Sequence, residues 1–175
     1  MRSMHRIEFF SYTAVRKWGV RVDGTDLRSL AAEAARPLWL GEEHVQEMTP
    51  EEQERTLLHQ YGGVPESDLV VPAARHFLGE GAAEFRDTAS GTQVVLGCVC
   101  TVWECWPLHA RVEVAPETVT WSGFRQTRRP EWGELPLGPY VFDRAAYEHA
   151  LARPVHLADD PLDELPRPGT EKPRA

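Results

Sequence analysis

Val94-Val95-Leu96-Gly97-Cys98-Val99-Cys100-Thr101-Val102-Trp103-Glu104-Cys105-Trp106-Pro107-Leu108-His109-Ala110-Arg111-Val112-Glu113-Val114 carries the strongest structural signal in the chain and holds all three of its cysteines. Residues 94–102 and 108–114 are β-branched or alternating, which suits a pleated, half-buried surface. Turn-prone residues at 104–107 separate the two runs, so the segment reads as a β-hairpin. Two positions apart on a strand, Cys98 and Cys100 point to one face, and both are expected to be mostly buried.

Outward from the hairpin, Pro116-Glu117 supplies a turn and residues 118–121 a third strand. Residues 124–139, dense in arginine, tryptophan, glycine and proline, read as a loop. Near the N-terminus, 7–12 and 18–22 are short β-prone runs, and Asp23-Gly24 ends the second. A helix follows, capped by Thr25 or Asp26, with Leu27, Leu30, Ala31 and Ala34 on one face and Pro37 as its stop. Thr49-Pro50-Glu51-Glu52 has the form of a capping box with proline at the first helical position, and Gly62-Gly63 closes that helix. Asp143 caps a last helix bearing Ala146, Tyr147, Ala150 and Leu151. The expected architecture is α+β: one domain over residues 1–152, an antiparallel sheet around a central β-hairpin, and about three flanking helices. Residues 153–175 are rich in Pro, Asp, Glu and Lys and read as a disordered acidic tail.

A chain of 175 residues can bury a full core without disulfide staples. Its formal charge of −8 disfavours duplex nucleic acid and anionic membrane surfaces as partners. No apolar run is long enough to span a bilayer, and residues 1–10 lack the apolar centre of a signal peptide, so the expected location is cytoplasmic. Thiols stay reduced there, and three clustered cysteines then suggest metal, redox chemistry or burial before a disulfide framework.

Leu96-Gly97-Cys98-x-Cys100, Cys105-Trp106-Pro107-Leu108, Val119-x-Trp121-x-x-Phe124, Arg128, Trp132, Leu137-Gly138-Pro139 and Phe142-Asp143-Arg144-x-x-Tyr147-Glu148 together resemble a family of small uncharacterised bacterial proteins. These share a Cys-x-Cys…Cys-Trp-Pro-Leu core and a C-terminal Phe-Asp-Arg helix. The resemblance spans roughly Val20 to Leu151 and implies no particular activity. Two departures stand out: Thr101 and Glu104 occupy positions where the pattern has glycine.

The cysteines admit four readings. The leading one packs them as soft core residues beneath Trp103 and Trp106. For zinc, Cys98, Cys100 and Cys105 need a fourth ligand, and His109 is the nearest. In a disulfide, Cys105 is the required partner, because cysteines two apart on a strand are badly placed for each other. A catalytic thiol would need His76 or His109 as base, and the sequence does not place either at a sulfur. Phosphate-binding glycine loops, nucleophile elbows and paired-carboxylate motifs are all missing, so no catalytic residue is assigned and no cofactor beyond the zinc alternative.

Residues 121–132 form the only dense cationic and aromatic stretch of an acidic protein. Guanidinium groups beside indole rings suit a carboxylate, a phosphate or an acidic partner loop, and Trp106, Trp121, Phe124, Arg125, Arg128 and Trp132 are the expected binding residues. The alternative is that the tryptophans anchor the loop while the arginines offset nearby acids. On this reading the chain is a non-enzymatic cytoplasmic binding or accessory protein whose partner is a protein or a small anionic ligand. Zinc-binding or thiol-dependent chemistry at the cysteines is the alternative. An immunity-type partner protein is a third possibility, on size, charge and architecture.

Overall fold

Strand pairing in the computed structural model, which describes residues 3–163, builds two sheets with helices around them. The chain opens with β1 (Ile7–Tyr12), β2 (Lys17–Val22) and β3 (Thr25–Asp26), then α1 (Leu27–Leu40), α2 (Glu43–Gln46) and α3 (Pro50–Leu58). Short strands β4 (Tyr61–Gly62) and β5 (Val64–Pro65), a helical turn α4 (Ala73–Arg75) and β6 (Arg86–Asp87) lead to β7 (Thr92–Cys98). β8 (Leu108–Val114), β9 (Thr118–Gln126), β10 (Tyr140–Asp143), α5 (Arg144–Ala152) and β11 (Val155–Leu157) follow. One sheet has the order β11-β1-β2-β3 with β5 on β2; the other runs β10-β9-β8-β7-β4 with β6 on β7. The fold is therefore α+β in a single domain, and the 94–114 segment forms the antiparallel β7–β8 pair expected of it.

The sheets continue into one another at both edges. At one edge the chain steps from β4, paired with β7, to β5, paired with β2. Only glycine fits between them, since a Cβ on Gly63 would stand 2.5 Å from the Trp18 carbonyl oxygen. At the other edge the His5 amide donates to the Val141 carbonyl at 2.8 Å, beside a parallel bridge from His5 to Phe142. Phe9, Trp18, Phe77, Trp121, Phe142 and Tyr147 are buried in the shared core. Two of its polar side chains are linked internally: the Trp121 indole donates to the Tyr147 hydroxyl at 3.1 Å, and that hydroxyl donates to the Phe77 carbonyl.

Local signals account for the helix starts. Asp26 accepts from the Arg28 amide, Thr49 and Glu52 close a reciprocal capping box, and Asp143 accepts from the Ala146 amide at 2.8 Å. Three expectations need correcting. Pro37 does not stop α1, which runs on to Leu40. An interior proline costs about 3 kcal/mol, but the extra turn buries Trp39 against Ala32, Val45 and Leu57, and loss of a buried tryptophan costs about 3–5 kcal/mol. β9 extends to Gln126, so Phe124 and Arg125 belong to a strand rather than a loop. The tail joins the fold as far as it is described: β11 pairs in parallel with β1, and Asp160 hydrogen-bonds the buried Arg28 at 3.0 Å. An open strand edge and a second carboxylate for the buried Arg28, which already pairs with Asp26, dock this segment, and neither requires apolar content. The expectation for residues 164–175 lies outside the described residues.

Candidate functional site

β7 ends at Cys98, which pairs with Tyr61, and the chain then turns away through residues 99–102. Cys98 is half-buried, Cys100 and Cys105 are exposed, and none is in a disulfide. This overturns the expectation of two mostly buried cysteines on one strand. The turn depends on Thr101, whose φ of +77° lies in the left-handed region where a β-branched residue is costly. Glycine would adopt this backbone without that cost. Trp103 anchors the loop instead of the thiols. Its ring stacks on Phe85 with centroids 4.4 Å apart, and it lies so close to β7 that a Cβ on Gly97 would come within 2.8 Å of it.

Anchored in this way, the loop gathers its sulfurs around Cys100. The Cys100 amide donates to the Cys98 Sγ at 3.5 Å, and the Cys100 thiol points to the Val102 carbonyl at 3.6 Å. The neighbouring Cys98 and Cys105 side chains, Cys98 above all, hold the Cys100 thiol below its ordinary pKa. Burial pushes Cys98 up to about 11. Cys105 is also raised, chiefly by its neighbour Cys100, while the nearby Arg128 guanidinium favours the Cys105 thiolate. Of the three thiols, Cys100 alone is shifted toward the thiolate, and it is exposed as an attacking sulfur must be.

The arginine and tryptophan segment meets this loop. Arg128 donates through Nε to the Glu104 carbonyl at 2.9 Å. A cleft of about 300 Å³ between them is lined by Trp103, Glu104, Pro107, His109, Thr127 and Arg128. Trp106 and Trp132 pack edge to face at 5.8 Å, and the Arg129 guanidinium lies 5.1 Å over the Trp106 ring while its Nε donates to Glu42 at 2.7 Å. Trp121 and Phe124, expected at a binding surface, have no exposure and belong to the core. Arg125, Arg128, Trp106 and Trp132 keep partial access.

Neither histidine serves a sulfur as base. His109 is buried on β8 with Nδ1 3.3 Å from the Thr92 hydroxyl, and burial brings its pKa down to about 4. His76 is fully buried, its Nε2 bonded to the Val94 carbonyl at 2.8 Å, and burial lowers its pKa too. Among the described residues no group of three or more His, Cys, Asp or Glu side chains is arranged to hold a metal ion. No helix among them is long and apolar enough to cross a membrane. Sequence reasoning missed the inequality of the three thiols.

Comparison with known proteins finds no family model, no curated protein and no solved structure that matches the chain.

Proposed function

We propose that this chain is a thiol-dependent redox protein in which Cys100 is the attacking sulfur and Cys105 the resolving one. One observation carries the reading: Cys100 is exposed in a loop that also holds Cys98 and Cys105, with its amide on the Cys98 Sγ at 3.5 Å and its thiol held below the ordinary pKa by those neighbours. Cys98 is the poorer resolving group, being half-buried, raised in pKa and only two residues away. The reaction is thiol–disulfide exchange with a small disulfide. The Cys100 thiolate attacks one sulfur of that disulfide, forming a mixed disulfide and releasing one thiolate. Cys105 then loses its proton beside Arg128 and attacks the Cys100 sulfur, forming the Cys100–Cys105 bond and expelling the second thiolate. Two protein thiols are oxidised and one disulfide is reduced to two thiols.

Alkylation of the fully reduced protein with iodoacetamide at neutral pH, read by peptide mapping, tests the assignment. Cys100 is expected to be modified first, with a rate that levels off at a lower pH than for an ordinary thiol. Equal rates at Cys100 and Cys105, or protection of all three by one equivalent of co-purified zinc, would overturn it; the zinc result would make the thiols ligands.

A further inference from the structure

A second cavity of about 300 Å³ opens between the turn after β6 and the end of β9, lined by Asp87, Ala89, Ser90, Arg125, Gln126, Thr127, Pro130 and Gly133. Two charged groups define it. Arg125 is half-buried, its Nε is shielded from solvent without a hydrogen-bond partner, and it makes no ion pair among the described residues. Its cross-strand neighbour is His109, which stays neutral near pH 7 because burial holds its pKa at about 4. Asp87 is kept ionised by the Ser90 hydroxyl at 2.7 Å and the Ala89 amide at 3.2 Å. Ser90 is itself braced at 2.6 Å against Thr92, so this wall is built rather than incidental.

Arg125 and Asp87 line one cavity, yet they do not pair with each other, although an unanswered, partly buried guanidinium is costly. A simple anion would answer Arg125 but meet repulsion from Asp87. A simple cation would face the reverse. We infer that the cavity binds a small zwitterion of the amino-acid class, its carboxylate on Arg125 and its ammonium on Asp87. A guanidinium suits the carboxylate because it can donate two parallel hydrogen bonds. The volume lies at the small end for ligand sites, which fits a free amino acid better than a peptide. The inference stands independently of the thiol chemistry.

Thermal-shift and amide NMR titrations of the full chain with the standard amino acids test it, alongside two control sets: their N-acetyl derivatives, which lack the ammonium, and the matching amines, which lack the carboxylate. At least one amino acid should raise Tm and shift the amides around residues 87–90 and 125–127, and both control sets should be inert. Arg125→Gln and Asp87→Asn should each weaken binding by about tenfold or more, with circular dichroism confirming the fold and Cys100→Ser leaving the affinity unchanged. No binding at millimolar amino acid would overturn the inference. So would binding of N-acetyl derivatives or inorganic phosphate that Asp87→Asn strengthens, which would make the cavity an anion site.

Discussion

Arg28 and Arg125 stand in opposite situations. Arg28 is 2% exposed, and its guanidinium donates to Asp26 at 2.8 and 3.0 Å, to Asp160 at 3.0 Å and to Tyr12 at 3.2 Å, while stacking 4.8 Å over the Tyr12 ring. Arg125, on the other sheet, has no such partner among the described residues and lines a cavity. Where this chain buries an arginine for structure, it supplies the acids itself, one of them from 132 residues away. The contrast separates groups that hold the fold from groups left for a visitor, and the cysteine loop falls on the second side. There Trp103 does the anchoring, and Cys100 and Cys105 stay accessible.

The largest effect that could break this comparison is on stability. Arg28→Ala leaves Asp26 and Asp160 without their cation in a buried setting, so it should cost about 3–5 kcal/mol in urea unfolding, whereas Arg125→Ala should cost far less. Similar losses for both would show that Arg125 is also a structural group.

A smaller effect concerns pH. The folded-state pKa of His109 is depressed to about 4, so the unfolded chain binds more protons as pH falls. Its contribution is fully present above roughly pH 6.5, the ordinary histidine value, and is lost as pH falls through about 4. About 2–3 kcal/mol should disappear across that window, with His76 acting in the same direction. Urea unfolding between pH 7.5 and 4 measures it, and His109→Gln should flatten the curve. An acid limb unchanged in His109→Gln would contradict the burial argument.

Helix starts were legible because their causes are local: the Thr49–Glu52 capping box and the Asp143 cap need only neighbouring residues. The hairpin was legible for the same reason, from two β-branched runs around a turn. What escaped depended on distant partners. The continuation of α1 past Pro37 depends on Val45 and Leu57, and the docking of residues 155–160 depends on β1 and Arg28. Phe124 looked like a loop residue because nothing nearby reveals that β9 follows β8 past a bulge into the core. At the site, the sequence located the cysteines and the arginine segment but not their meeting through Arg128 and Glu104. The unequal thiols follow from the turn at Thr101, whose backbone geometry is invisible in its side chain.

The central claim is that Cys100 attacks and Cys105 resolves, and oxidation of the reduced protein by oxidised glutathione, followed by intact mass and peptide mapping, tests it most directly. Wild type should lose two hydrogens and yield a Cys100–Cys105 cross-linked peptide, while Cys105→Ser should stall as a glutathione mixed disulfide on Cys100. Adducts that form on Cys105 while Cys100 stays free, or a protein that leaves all three thiols unreacted, would contradict the account.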